Sequence, residues 1–178
     1  MTPQPSTAQQ LTRQPSIYQL NTRVLLYERG LAIGRKATLD DVPDALIDDI
    51  AAKGFQWVWF LGVWQTGKMG REISRSTPKL LEECRRVLPD LTPEDITGSP
   101  FAITAYQAHE DFGGDRALRN LRDRLARRRL KLLLDFVPNH TAPEHAWVRR
   151  HPDWFVHADA SCRIASRLTS ARSWPVSA

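Results

Sequence analysis

Two short and almost uninterrupted apolar runs limit the folds that this chain can adopt. The first, FQWVWFLGV, covers residues 55–63, and the second, LKLLLDFV, covers residues 130–137. Each run has the length of a β-strand but lacks the apolar–polar alternation of a strand with one face in water. Strands buried on both faces are typical of parallel sheets flanked by helices. The two runs therefore predict an α/β fold.

Strand and helix patterns alternate ahead of the first run. Residues 17–26, IYQLNTRVLL, are rich in residues that favour strands and predict an opening strand. The TLDD sequence that begins at Thr38 predicts a helix start, and apolar residues at helical spacing continue until Gly54. Strand, helix and strand in this order predict a parallel β/α unit.

A long stretch with few element patterns separates the second and third predicted strands. It covers residues 64–114, and a helix is predicted only over 78–88, where Pro78 suits the first turn. Loops of this length in compact domains usually carry function. Parallel sheets bind ligands at the carboxyl ends of their strands, so this loop after the second strand is a candidate for a binding region.

The net charge of +5 comes largely from one segment, RALRNLRDRLARRRLK, at residues 116–131. Its apolar residues Leu118, Leu121, Leu125 and Ala126 are three or four apart, whereas the arginines fall mainly elsewhere on the helical wheel. We interpret the segment as an amphipathic helix with a solvent-exposed arginine face, and we expect no nucleic-acid partner. Binding of nucleic acid by this face is the weaker alternative.

Composition excludes several classes of protein. With 42% hydrophobic and 25% charged residues, the chain is neither a disordered polyelectrolyte nor a disulfide-dense miniprotein. Its longest apolar stretch, residues 55–64, is half of the roughly 20 residues that a membrane-spanning helix needs, so no membrane partner is expected. Residues 1–15 lack the apolar core of a secretory signal and predict a disordered lead-in, which favours a cytoplasmic location. Cys84 and Cys162 show no zinc or redox spacing.

The segment LLLDFVPNHTAPEHAWVRRHPDWF, residues 132–155, contains the strongest candidates for a site. Asp135 lies near the end of an apolar strand, and Asn139 and His140 follow on the next loop, where α/β folds place reactive groups. A buried aspartate is costly unless it is hydrogen-bonded or paired. On spacing alone, a purely structural interpretation has equal weight: Asp135 braces the loop backbone and Asn139 forms a turn.

Two other chemistries fit the sequence poorly. HTAPEH, which begins at His140, has one residue more than the HxxEH zinc pattern, and Pro143 interrupts the helix that such a motif needs. No GxGxxG or GxxxxGK[ST] sequence follows the first predicted strand, and no GxSxG elbow is present.

Four segments, in the same order, resemble the α-amylase family of glycoside hydrolases. DFVPNH at 135–140 resembles the DxxxNH signature at the end of the third strand of the family's catalytic barrel. GFQWVWFLGVWQTG at 54–67 is similar to the second strand and its loop, and SPFAITAYQAHEDFGG at 99–114 is similar to the segment before the third helix. IYQLNTRVLL at 17–26 is similar to the opening strand. The resemblance extends over about residues 17–156.

The resemblance implies an architecture. A complete (β/α)₈ TIM barrel takes about 250 residues, so the chain would hold about its first three β/α units, with a long loop after the second strand. We accordingly divide the chain into the lead at 1–15, the N-terminal part of the barrel at 16–156, and an irregular tail at 157–178. A truncation or a frameshift would account for such a tail. A missing C-terminal remainder of the barrel is then an expected partner.

The resemblance also implies roles for individual residues. His140 matches the histidine that binds hydroxyls of the sugar at the cleavage site, and Asp135 matches the aspartate that supports the site. Phe101 stands where relatives place a tyrosine against the sugar, although packing within the loop explains it equally well. Tyr106 completes the predicted substrate-binding set. Asn139 matches a calcium-binding position of many relatives, and no other cofactor is predicted.

The family hydrolyses or transfers α-glucosidic linkages by a retaining mechanism, with two carboxyl groups about 5 Å apart. In relatives these carboxyl groups follow the fourth and fifth strands, and nothing in this chain matches them. The sequence therefore predicts a partial catalytic domain for α-glucan or α-glucoside substrates in carbohydrate metabolism, inactive by itself. The alternatives are a non-catalytic carbohydrate-binding remnant and, less favoured, a basic nucleic-acid-binding protein.

Overall fold

The fold is described by a computed structural model, which covers residues 14–156. These residues belong to two units, one ending at His145 and the other beginning at Ala146. Nearly all of the predicted lead at 1–15, and the whole of the predicted tail at 157–178, lie outside the described residues. None of the helices between residues 14 and 156 is both long and apolar enough to cross a membrane.

The larger unit combines strands, helices and three short 3₁₀ turns. The strands are β1 (Ile17–Asn21), β2 (Trp57–Leu61), β3 (Trp64–Thr66), β4 (Ile103–Ala108) and β5 (Lys131–Leu133). The helices are α1 (Thr22–Ile33), α2 (Asp44–Ala52), α3 (Lys68–Ser76), α4 (Pro78–Val87) and α5 (Gly114–Arg127). The 3₁₀ turns are Leu39–Asp41, Pro93–Asp95 and Glu110–Phe112. The smaller unit contains α6 (Ala146–Arg150) and the 3₁₀ turn Pro152–Trp154.

A parallel sheet of order β1-β2-β5 organises the larger unit. Val58 and Phe60 of β2 are buried in one core with Ile50 of α2 and with Leu121 and Leu125 of α5. Because side chains alternate along a strand, Trp57, Trp59 and Leu61 lie on the other face of β2 and are partly buried. The α/β prediction, with helices packed against a parallel sheet, is confirmed.

The face of the sheet opposite this core is only partly covered. Trp57 and Trp59 of β2 lie on it and are partly exposed, and Gln19 of β1 is exposed. The Lys131 Nζ atom of β5 lies 5.1 Å from the centroid of the Trp57 ring, in a cation–π contact. In the described part of the larger unit, this face therefore carries large aromatic side chains that are partly exposed.

The opening strand is shorter than the sequence predicts. The predicted strand at 17–26 is wrong beyond Asn21, because α1 begins at Thr22. The Asn21 Oδ1 atom accepts a hydrogen bond of 3.3 Å from the backbone N–H of Val24 and caps the helix. This cap overrides the strand propensity of the residues that follow.

The helix predicted from Thr38 to Gly54 is divided in two. Thr38 forms the predicted capping box, but with Asp41 around a 3₁₀ turn, and α2 begins only after Pro43. Proline at this position lacks the N–H that a continuous helix would need. The predicted start signal is therefore real, whereas the single helix is not.

The long loop contains more structure than predicted. The helix expected over 78–88 is present as α4, and α3 precedes it. In addition, β3 and β4 form an antiparallel pair whose register is irregular. A three-residue strand with an irregular partner leaves little periodic signal in the sequence, which is why periodicity did not reveal it.

The arginine-rich helix is present as α5, with Ala117, Leu121 and Leu125 buried. Ala126, which the sequence placed on the apolar face, is exposed. Several arginines at this helix bind aspartates from the segment that contains α2. These ion pairs are Arg116–Asp40 (3.0 Å), Arg124–Asp44 (2.6 Å) and Arg128–Asp48. Part of the predicted solvent-exposed arginine face is thus an ion-pair surface.

Candidate functional site

Asp135 holds together the carboxyl ends of β2 and β5. Its Oδ1 atom accepts a hydrogen bond from Trp59 Nε1 (2.9 Å), and Oδ2 accepts one from the backbone N–H of Gly62 (2.5 Å). The Asp135 carbonyl oxygen also accepts a hydrogen bond from Trp64 Nε1 (2.8 Å). These bonds satisfy a carboxylate that is 8% exposed. Asp135 is therefore a structural brace at the edge where parallel sheets bind ligands.

The hydrogen bonds of Asp135 also explain why β5, the third strand of the parallel sheet, is short. The predicted strand at 130–137 ends at Leu133, which is in register with Trp59. Beyond that point the N–H of Gly62 is bound by the Asp135 side chain instead of by a neighbouring strand. Gly62 has φ +77°, and a Cβ atom there would lie 2.8 Å from the Cβ of Pro100. The position therefore requires glycine.

Tyr106 attaches the segment after Asp135 to β4. Its hydroxyl accepts a hydrogen bond from the backbone N–H of Val137 (2.9 Å) and donates one to the Val137 carbonyl (3.1 Å). The Tyr106 ring makes an edge contact with Trp64, with centroids 5.4 Å apart, and stacks on Phe136 at 6.2 Å. Phe136 is 78% exposed, so the aromatic cluster has an open side.

A second attachment follows on the other side of the predicted signature. The backbone N–H of Ala142 donates to the Ile103 carbonyl at the start of β4 (2.8 Å). Between these two attachments the side chains of Asn139 and His140 are exposed and make no hydrogen bond to any of residues 14–156. The loop is therefore fixed at both ends and presents an imidazole and a carboxamide that are available to a ligand.

The structure brings the predicted site residues together only in part. Asp135 lies at the start of the segment that leads to Asn139 and His140, and the Tyr106 hydroxyl is bonded to Val137 within that segment. Neither residue forms a hydrogen bond with the side chain of Asn139 or His140. Phe101 lies in the turn before β4, partly buried, with its backbone N–H bonded to Ser99 Oγ (3.2 Å). The roles of these residues toward a sugar stay predictions.

Glu144 has a role that the sequence did not reveal. Its Oε1 atom accepts a hydrogen bond of 2.9 Å from the backbone N–H of Met69 in the first turn of α3. A Cβ atom on Gly67 would lie only 1.9 Å from this oxygen. The carboxylate thus satisfies a free N–H at the positive end of the helix. It links the loop after β5 to the long loop after β2. In the sequence, only the glycine before α3 indicated this contact.

A metal site does not emerge around Asn139. Among residues 14–156, no three His, Cys, Asp or Glu side chains gather into a metal-binding group. Ca²⁺ takes six to eight oxygen ligands, of which Asn139 would supply one. We derive no chemistry through a cation here, and calcium at Asn139 stays a prediction.

Comparisons with known proteins agree with this arrangement. Residues 100–163 match the family model described as the catalytic domain of α-amylase. The chain is 30% identical over 137 residues to an α-1,4-glucan:maltose-1-phosphate maltosyltransferase of Pseudomonas aeruginosa, covering 74% of this chain and 18% of that protein. An enzyme of the same name from Cereibacter sphaeroides is 29% identical, with 68% and 17% covered. The chain thus spans less than a fifth of the length of these relatives.

Solved structures show the same relationship in three dimensions. An α-amylase from Lactobacillus plantarum superposes with a TM-score of 0.57 and 26% identity, over 82% of this chain and 27% of that one. A maltogenic α-amylase from Thermotoga neapolitana, at 20% identity, supports the fold with a TM-score of 0.56, over 82% of this chain and 28% of that one. The parallel sheet and its helices therefore correspond to part of a (β/α)₈ barrel. Together these matches support membership of the α-amylase family of glycoside hydrolases, over a part of the catalytic domain.

Proposed function

We propose that this chain forms one wall of the sugar-binding cleft of an α-glucan-active hydrolase or transglycosidase. The observation that carries the proposal is the loop fixed at Val137 and Ala142, which presents Asn139 and His140 without hydrogen-bond partners in the described part of the chain. The loop lies at the carboxyl end of a parallel sheet, the usual place for a ligand in this kind of fold.

The chemistry of the two side chains suits a sugar. A neutral imidazole both donates and accepts hydrogen bonds, and a carboxamide offers donors and an acceptor, so each can pair with hydroxyl groups. Hydrogen bonds to sugar hydroxyls strengthen as the ring becomes oxocarbenium-like, which would make His140 a contributor to the rate. The open side of the Tyr106–Phe136 stack offers an aromatic surface for the apolar face of a sugar.

The acidic residues on this loop have structural roles. Both carboxylate oxygens of Asp135 accept hydrogen bonds, and Glu144 is bound to the first turn of α3. A retaining mechanism needs a free nucleophile and a carboxylic acid about 5–5.5 Å apart. We therefore propose that the chain by itself does not catalyse turnover and that further β/α units supply those two groups. The relatives are named for glycosyl transfer, which supports including transfer with hydrolysis.

A binding experiment tests the sugar contact. Titration of maltooligosaccharides into the full chain should show saturable binding, and His140→Ala should weaken it by about tenfold, the effect of losing a hydrogen bond to a polar ligand. His151→Ala, the same change in the smaller unit, is the matched control. Equal affinity for all three proteins would contradict the proposed contact.

An activity measurement tests the second part of the proposal. Incubation with a nitrophenyl α-glucoside should release no nitrophenol above a protein-free blank. Turnover that disappears in His140→Ala would show that the catalytic carboxylates are present in this chain. Binding without turnover fits both a partial catalytic domain and a non-catalytic carbohydrate-binding module. Turnover that appears when further β/α units are added to the chain would identify it as a partial catalytic domain.

The nucleic-acid alternative has less support. Arg116, Arg124 and Arg128 already bind aspartates, so fewer charges of the α5 surface are free for phosphates.

The cytoplasmic location stays a prediction.

A further inference from the structure

A second group of polar side chains lies where β1 and β2 end, and the proposed sugar contact does not use it. Arg23 is in the first turn of α1, directly after β1, and Arg71 is in α3. His109 follows β4, and its backbone N–H donates to the carbonyl of Val63, two residues beyond β2 (2.8 Å). We call Arg23, Arg71 and His109, with Lys36, the basic cluster.

Within residues 14–156, Arg23 is a partly buried cation that forms no ion pair with a carboxylate. Its guanidinium carbon lies 5.3 Å from the centroid of the Phe112 ring, and no carboxylate among the described residues forms an ion pair with it. Burial lowers the pKa of Arg23, Arg71 lowers it further, and Asp111 opposes both effects. The charge of Arg23 is thus incompletely compensated within residues 14–156.

Arg71 also has a polar group that is not satisfied within the described residues. Its Nε atom is buried and has no hydrogen-bond partner among the described residues. Arg71 is close enough to lower the pKa of both Arg23 and His109, so two like charges lie near one another. A buried guanidinium nitrogen that lacks an acceptor costs free energy unless a ligand supplies one.

His109 adds a neutral donor to the basic cluster. Its side chain is almost completely buried, and Nδ1 accepts a hydrogen bond from the backbone N–H of Asp111 (3.1 Å). Because Nδ1 accepts, the ring proton is on Nε2, which is then a donor. Burial lowers the pKa of His109 and Asp111 opposes this effect, while Arg23, Lys36 and Arg71 lower the pKa further. The net direction favours the neutral ring.

Asp111 does not neutralise the cluster. It acts on the pKa of both Arg23 and His109, but its Oδ1 atom already accepts a hydrogen bond from Lys36 Nζ. Three cations and one carboxylate, with a neutral histidine, leave a net charge of two. A divalent oxyanion would compensate this charge.

An open cavity of about 370 Å³ is lined by two members of the basic cluster, Arg23 and Lys36, whereas Arg71 and His109 are not part of its lining. Arg23, Lys36 and Asp111 line one part of it, and Tyr27 and Leu31 of α1 line another. Both Tyr27 and Leu31 are mainly exposed although they are large and apolar in part. The cavity thus combines uncompensated positive charge with an apolar wall, which suits an anionic group on a small organic body.

We propose that this cavity is a binding site for a phosphomonoester, with the Arg23 guanidinium as its principal donor. Guanidinium groups pair well with phosphate oxygens in a bidentate geometry, and a phosphomonoester carries close to two negative charges at neutral pH. Arg71 and Lys36 supply the remaining field, and Tyr27 and Leu31 contact the body of the ligand. The proposal is independent of the sugar contact at His140.

The test is titration of inorganic phosphate into the full chain, followed by calorimetry and by the ³¹P resonance. We expect saturable binding, and Arg23→Gln should weaken it at least tenfold because a charge-assisted hydrogen bond is lost. Arg119→Gln, on the exposed face of α5, is the matched control and should bind phosphate as the parent protein does. Equal weakening by both substitutions would overturn the proposal, since it would indicate general charge attraction.

Further arms identify the source of the phosphate and guard against misfolding. Glucose 6-phosphate that binds more tightly than inorganic phosphate would assign the site to a phosphorylated sugar, and equal affinities would assign it to free phosphate. Displacement of phosphate by unphosphorylated glucose, or tighter binding of a DNA oligonucleotide that depends on Arg119, would overturn the proposal. Arg71→Gln should also weaken binding; if circular dichroism shows that this variant is unfolded, Arg23→Gln decides the outcome.

Discussion

The α2–α5 surface and the loop around His140 use polar residues in opposite ways. On the α2–α5 surface, Arg124 and Arg128 are paired with Asp44 and Asp48 above a packed apolar core. On the loop, hydrogen bonds fix the backbone and leave the side chains of Asn139 and His140 without partners in the described residues. A surface whose charges are already paired contributes to the fold, whereas a fixed loop with unpaired donors and acceptors can bind a ligand.

The largest expected effect comes from the packed side of this comparison. Leu121→Ala removes a fully buried side chain between α5 and the sheet and should lower the free energy of unfolding by about 2–5 kcal/mol, through lost burial and the cavity that remains. Urea denaturation would measure it. Val87→Ala, at a side chain that is 87% exposed, should change stability by less than about 0.5 kcal/mol. Similar losses in both variants would mean that α5 does not pack as described.

Asp135→Asn should have the next largest effect. The asparagine side chain has one acceptor oxygen, so it can replace only one of the bonds from Trp59 Nε1 and Gly62 N, and a buried donor is left unpaired. Stability should fall by about 1–3 kcal/mol. Because the loop depends on this brace, maltooligosaccharide binding should fall as well, unlike in Asp153→Asn in the smaller unit. An unchanged stability would show that Asp135 is not the brace.

Tyr106→Phe should have a smaller and more local effect. The substitution removes the hydroxyl that bonds both backbone groups of Val137 but keeps the ring contacts with Trp64 and Phe136. We expect a loss of about 0.5–1.5 kcal/mol per hydrogen bond and faster amide hydrogen exchange at Val137. Tyr27→Phe should leave that amide unchanged. Exchange at the parental rate in Tyr106→Phe would mean that the hydroxyl does not hold the loop.

The smallest effect concerns pH. Burial lowers the pKa of His109 and of His145 in the folded chain, so the unfolded chain binds more protons just below the ordinary pKa of about 6.5. This contribution to stability should therefore be present above that pH and be lost as the pH falls from about 6.5 toward about 5.5. His109→Gln should reduce this slope, and the double substitution with His145→Gln should reduce it further. A slope identical in all three proteins would show that neither histidine contributes.

Much of the fold could be predicted from the sequence. The apolar runs at 55–63 and 130–137 predicted a parallel sheet because strands covered on both faces need no polar alternation. The local signal for the capping box at Thr38 was accurate. Two other local predictions were wrong, because Asn21 ended β1 by capping α1 and Pro43 divided the predicted helix.

The residue types of the candidate site, and their position after a buried strand, were determined by the sequence itself, since strand length and turn chemistry are local properties. Only the tertiary structure decided which of these side chains have hydrogen-bond partners among the described residues. Asp135 meets Trp59 and Gly62 more than 70 positions away, and Glu144 meets Met69 across a similar distance. Periodicity and spacing report on neighbours within a few residues, and contacts across such separations depend on how the sheet brings distant segments together. The structure therefore separated the carboxylates that support the loop from the imidazole that it leaves available.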